Sequence, residues 1–201
     1  MELSLYINFM NFEKLLLVPT DKILTTPRFQ LEPIIESHAP KLFENLQAPE
    51  LYIFIPHQPP QSVEALQKRY ARLAVRHSDQ KDEIWLNWAI KLKDRENYVG
   101  TLQATLKETG ETYIAYEIFP AYWRQKMARE ACSRMLKLLF EEYDLEKISS
   151  LMDTRNEASW RLMESLGFQK IKEIKDADYF KGSASDEFLY ELEKTNFQSI
   201  E

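Results

Sequence analysis

The chain has 201 residues, 44% of them hydrophobic and 29% charged, with only 4 glycines and one cysteine. This balance supports a packed core and excludes disordered, collagen-like and glycine-rich linker proteins. The formal net charge of −6 leaves no basic footprint for nucleic acid, and the lone Cys132 forbids an intrachain disulfide and suits a reducing compartment such as the cytoplasm.

No run of about 18 apolar residues offers a membrane span. The first residues lack a basic region and are interrupted by Glu2 and Glu13, unlike a secretory signal. Residues 1–25 read as an N-terminal extension, an added helix or a dimer contact, with apolar content from Leu15 to Val18. Residues 26–194 read as one domain and 195–201 as a tail.

Arg28 to Glu32 alternates Phe29 and Leu31 with polar residues, as a strand does. Ser37 is placed to cap a helix running to Leu46, and four prolines between Ala48 and Pro60 predict irregular chain. Ser62 to Arg76 carries Val63, Leu66, Tyr70, Leu73 and Ala74 in helical register. Strands follow at Glu83–Lys91, Tyr98–Leu106 and Thr112–Phe119, the last two joined by a hairpin turn at Gly110. Lys126 to Tyr143 has an apolar stripe of Ala128, Ala131, Cys132, Met135, Leu138 and Leu139, the mark of an amphipathic helix. Ile148–Met152 reads as a short buried strand. Asn156 to Leu166 is predicted helical, capped by Asn156 and closed by Gly167, and Phe168–Ile174 and Phe188–Glu193 read as closing strands. The order β-α-α-β-β-β-α-β-α-β-β predicts an α/β fold, one mixed sheet with helices on both faces.

The usual phosphate-loop, dinucleotide, zinc-protease and C-x-x-C signatures are absent. His38, His57 and His77 lack metal spacing and read as structural, so no metal is expected. Cys132, on its apolar stripe, reads as a small buried hydrophobe. The unusual feature is Arg124, Lys126 and Arg129 crowding a helix N-terminus, where the macrodipole disfavours cations. Either they form a solvated face with neighbours such as Glu130, or they hold an anionic ligand together with the free N–H groups there. Glu117, near the end of the preceding strand, is either an outward-facing residue or a candidate general base.

Together these segments resemble the GNAT acyltransferases, in particular the RimJ/RimL-like branch that acetylates ribosomal-protein N-termini. The resemblance spans about Thr26 to Lys194. Asn156-Glu-Ala-Ser159 through Leu166-Gly167-Phe168 is similar to the family's N-x-x-S-x-x-x-x-x-x-L-G-F, and Ala115-Tyr116-Glu117-Ile118-Phe119-Pro120 through Trp123 to its G-Y-E-L-x-P-x-Y-W. Thr26-Pro27-Arg28, Trp88-Ala89-Ile90 and Val99-Gly100-Thr101 match its opening and its next strands.

The resemblance implies an N-acetyltransferase that moves an acetyl group from acetyl-CoA to a primary amine, either a protein N-terminus or a small molecule. The CoA diphosphate would sit on the helix starting near Lys126, against Arg124, Gln125, Lys126, Met127, Ala128 and Arg129. Backbone at Ile118 and Phe119 would orient the thioester, and Asn156 would touch the pantetheine arm or act only as a cap. Glu117 would take the amine proton through water, and Ser159 would serve as acid. The tyrosine that many relatives use as acid is Met163 here. The loop Leu51 to Pro60 would line the acceptor side, and net acidity suits cationic acceptors.

One departure stands out. Where the family reads G-K-G-Y-A-T-E-A, this chain reads Arg124 to Ala131, and both glycines are gone. Side chains there either crowd the diphosphate or add positive charge to it. The loss keeps a second reading open, a non-catalytic acyl-CoA sensor on the same fold. A homodimer is also left open.

Overall fold

The period-two patterns produce five antiparallel neighbours: β1 (Leu24–Thr25), β2 (Phe29–Pro33), β3 (Glu83–Leu92), β4 (Tyr98–Lys107) and β5 (Thr112–Ile118). Residues 12–198 are described by a computed structural model. The strands β6 (Lys147–Asp153), β7 (Gln169–Phe180) and β8 (Ser183–Glu193) complete one eight-stranded mixed sheet, ordered β1-β2-β3-β4-β5-β6-β8-β7.

Helices α1 (Ala39–Leu42), α2 (Val63–Ala74), α3 (Met127–Glu141) and α4 (Glu157–Ser165) cover it. Alternate residues of β3 serve the two sides. Ile84, Leu86, Trp88 and Ile90 join the main core with α3, whereas Ala89 joins a second core with Leu42 of α1 and Leu66 and Tyr70 of α2. None of the described helices is long and apolar enough to cross a membrane.

The helix expected from Ser37 to Leu46 is instead broken. A 3₁₀ turn at Glu36–His38 leads into the short α1, and a second 3₁₀ turn follows at Asn45–Gln47. Pro40 explains the restart, because its ring is tolerated only in a first helical turn. His38 is buried and structural: its Nδ1 accepts from the Ile35 N–H at 3.1 Å and its Nε2 lies 3.0 Å from Glu32.

Helices α2 and α4 begin as their caps dictate. Ser62 accepts from the Ala65 N–H at 3.1 Å, and Asn156 accepts from the Ser159 N–H at 3.2 Å. At the end of α4, Gly167 adopts φ 94°, its N–H reaches the Glu164 carbonyl and the Phe168 N–H reaches that of Met163, both at 3.0 Å. That pair of bonds is a Schellman closure.

The closing strands run well beyond the expected Phe168–Ile174 and Phe188–Glu193. The chain turns at Lys181 and Gly182, with φ 52° and 81°, between the paired Phe180 and Ser183. Positive φ at both positions is a type I′ hairpin turn, with Gly182 at its second central position. The extra length escaped the pattern because β7 is an edge strand exposed on both faces and has no apolar period.

The first eleven residues of the expected extension lie outside the described residues. Its remainder packs on the domain: Phe12 and Leu24 join the main core, and the Trp88 indole donates to the Lys22 carbonyl at 3.3 Å.

Candidate active site

Two parallel strands separate here to make a cleft. β5 and β6 meet only at Tyr113 and Ser149, and beyond that pair they diverge. The opening between them, bounded by the N-termini of α3 and α4 and by the loop before α2, is a cleft of about 720 Å³. That volume suits a small organic ligand or cofactor.

The pleat of β5 assigns its last side chains to opposite sides. Ile118 joins the core beneath α3, and Tyr116 packs against that core. Phe119, on the other side, joins the core beneath α2. Glu117 points the same way as Phe119, toward Tyr52, Arg69 and Tyr70. Burial pushes its carboxyl up to about 7, and the Arg69 guanidinium opposes that rise only in part. A carboxyl poised near neutrality in a cleft can accept a proton at working pH.

Gly100 makes this placement possible. A Cβ there would lie 1.9 Å from the Glu117 carbonyl oxygen and 2.9 Å from the Ile118 Cα. No side chain fits between the two backbones, so the missing Cβ lets β4 hold the Glu117 peptide close.

The turn into α3 is unusual. Arg124 and Lys126 both have φ 58°, in the left-handed region that favours glycine. The backbone therefore keeps a glycine-like course although both residues carry side chains. Lys126 is also the N-cap of α3 and makes no side-chain cap. The N–H groups of the first helical turn have no partner one turn earlier and face the cleft end of the helix. Among the described residues, Arg124 and Lys126 have no carboxylate partner. Glu130 does not neutralise them, because it accepts from Arg28 at 2.6 Å and from the Arg28 N–H at 3.0 Å.

The residues expected to form the site are mostly gathered here. Glu117, Ile118, Arg124, Lys126, Met127, Ala128, Arg129, Asn156 and Ser159 all line the cleft. Met127 is buried, so it can offer a ligand mainly its backbone. Arg129 donates to the Ser165 carbonyl at 3.3 Å, bridging α3 to the end of α4.

Two residues stand apart. The Phe119 side chain is buried beneath α2, and its N–H is committed to the Val99 carbonyl at 2.8 Å. Gln125 faces a smaller pocket on the other side of the turn, where its carbonyl accepts from Arg28 at 3.0 Å. Of the acceptor-side loop, Leu51 and Ile53 to Ile55 line the cleft, while the Tyr52 side chain is buried and its hydroxyl donates to the Leu46 carbonyl at 2.8 Å.

Tyr116 and Arg69 were not assigned from sequence. The Tyr116 hydroxyl donates to Ser159 Oγ at 3.3 Å, and burial pushes its phenol up. A tyrosine beside Glu117 on a strand must face the opposite side, and that alternation was the available signal. Nothing local marks Arg69. Cys132 is fully buried with its thiol pushed up to about 12, so it is no nucleophile.

A parallel pair opened over a helix N-terminus, with a raised carboxyl at the gap, invites comparison with known proteins. Residues 28–169 match the acetyltransferase (GNAT) domain. The chain belongs to the GNAT acetyltransferase family. A curated relative, the uncharacterized N-acetyltransferase YoaA of Bacillus subtilis (strain 168), is 27% identical over 174 residues, covering 86% of this chain and 97% of YoaA. Among solved structures, the ribosomal-protein-S5-alanine acetyltransferase from Vibrio fischeri superposes with a TM-score of 0.75 at 19% identity, over 89% of this chain and 100% of that one. RimL, a ribosomal L7/L12 alpha-N-protein acetyltransferase, gives 0.74 at 17% identity over 86% and 94%. These two likenesses establish a shared GNAT fold.

Proposed function

We propose that the protein transfers an acetyl group from acetyl-CoA to a primary amine by direct attack, with Glu117 as base and Ser159 as acid. The observation that carries this reading is Glu117, raised to about 7 at the gap between β5 and β6. An α-amine has a pKa near 8, so a base of that strength suffices. Glu117 takes the amine proton through a water, and the cleft returns it to solvent.

The opposite side of the gap suits the acyl donor. The N–H groups at the start of α3, with Arg124, Lys126 and Arg129, offer positive charge to a diphosphate. Backbone around Ile118 orients the thioester. Asn156 already caps α4 through Oδ1, which leaves its amide NH₂ for the pantetheine arm. Ser159 supplies a proton as sulfur departs.

The acceptor enters from the α2 side, past Leu51 and Ile53 to Ile55. It is a protein N-terminus or a small amine, met in the cytoplasm, and the names of the two ribosomal-protein acetyltransferases above favour the former. A thermal shift with acetyl-CoA, followed by thiol release over N-terminal peptides and small amines, tests the reading. Ligand at about 100 times its Kd adds ~2.7 kcal/mol of stability. Binding with no release over the panel would point to a sensor, and no binding would refute both readings.

A further inference from the structure

Ser159 cannot be an effective acid unaided. A serine hydroxyl holds its proton tightly, and its hydrogen rotates unless a neighbour fixes it. The structure supplies that neighbour. Tyr116, from the end of β5, donates to Ser159 Oγ at 3.3 Å across 43 residues of sequence. Both residues line the cleft. The Ser159 N–H is separately held by Asn156, at 3.2 Å to Oδ1 and 3.0 Å to the carbonyl, so the serine backbone is anchored as well.

The phenol is the stronger acid of the two hydroxyls, so it is the better donor in this bond. Burial keeps the Tyr116 phenol protonated. The titratable group facing it from α3 is Cys132, and from α4 its partner is Ser159; the Cys132 thiol, pushed up to about 12, stays neutral. With one serine lone pair occupied by Tyr116, the Ser159 hydrogen is directed elsewhere, and the open side is the cleft.

We propose that Tyr116 is a positioning residue: its hydroxyl, bonded to Ser159 Oγ, turns the serine proton toward the departing sulfur and supports the charge that grows on the serine oxygen. The inference rests on the acetyl-transfer reading above. As the carbon–sulfur bond breaks, its electron pair goes to sulfur and the Ser159 proton follows. Water at the cleft mouth returns a proton to Ser159, and Tyr116 keeps its own.

The test compares Tyr116→Phe, Ser159→Ala and the double variant, by thiol release with acetyl-CoA and whichever panel amine the unaltered protein accepts. Removing the hydroxyl should lower kcat about tenfold or more, in the range of lost acid catalysis, with the KM for acetyl-CoA within about twofold. The double variant should be no slower than Ser159→Ala, because the tyrosine acts only through the serine. Unchanged kcat in Tyr116→Phe, or losses that multiply in the double variant, would overturn the pairing. If Tyr116→Phe does not fold, difluorotyrosine at 116 keeps the shape with a more acidic phenol. Activity should then fall at a lower basic pH than in the unaltered protein, and an identical pH profile would overturn the proposal. An active protein with unaffected variants refutes the pairing alone, whereas an unaltered protein silent over the whole panel refutes the acetyl-transfer reading and the pairing with it.

Discussion

Replacing Glu117 by glutamine should abolish activity and yet stabilise the fold, and the gain should appear only above a particular pH. Burial raises this carboxyl from its ordinary 4.5 to about 7 in the folded protein. The folded state therefore binds this proton more tightly than the unfolded state does. The contribution to stability is greatest below 4.5, falls as pH rises from 4.5 to about 7, and stays low above that. The rise corresponds to ~3 kcal/mol at about 1.4 kcal/mol per tenfold, and solvent in the cleft reduces this to ~1–2 kcal/mol.

Glutamine is near-isosteric and does not titrate. Its stability advantage over the glutamate should thus be larger by ~1–2 kcal/mol at about pH 8.5 than at about pH 4.5. Urea unfolding of both proteins at the two pH values measures this directly, since all other titrating groups are shared and cancel. An advantage that is the same at both pH values would refute the assignment of a raised carboxyl. The same ionisation predicts that kcat/KM climbs with pH through about 7.

The neighbours of Glu117 give further tests. Arg69→Gln removes the cation that opposes the rise, so the acidic limb of the rate profile should move to higher pH; a limb that stays in place would exclude the guanidinium from the site. Gly100→Ala drives a Cβ to within 1.9 Å of the Glu117 carbonyl, and should cost ~2–4 kcal/mol in urea unfolding, as expected for a backbone clash, with a collapse in kcat. Arg124→Gly and Lys126→Gly suit a φ of 58°, so stability should change by no more than ~1 kcal/mol. Calorimetric affinity for acetyl-CoA should nevertheless fall and become less sensitive to salt. Unchanged affinity in both glycine variants would remove these cations from ligand binding.

Much of the fold was legible because its signals are local. Ile84, Leu86, Trp88 and Ile90 announce β3 by their period, and Asn156 and Gly167 mark both ends of α4 through bonds that span only a few residues. The failures have equally local causes. Pro40 broke a helix that the apolar spacing allowed, and β7 carries no period because neither of its faces is buried.

The site was legible as residue types but not as an environment. Glu117, Ser159 and the cations of the α3 turn could be named in the chain. Only the packed structure shows that Glu117 faces Arg69 and is desolvated, and that Tyr116 reaches Ser159. The absent loop glycines illustrate the division. Sequence reveals that Arg124 and Lys126 stand there, whereas the folded chain shows that their backbone still turns at φ 58°. Helix caps, strand periods and turns depend on neighbours along the chain, so sequence by itself determines them. The opening of β5 from β6, the pKa of a carboxyl and the partner of a hydroxyl depend on groups dozens of residues away, which only tertiary packing brings together.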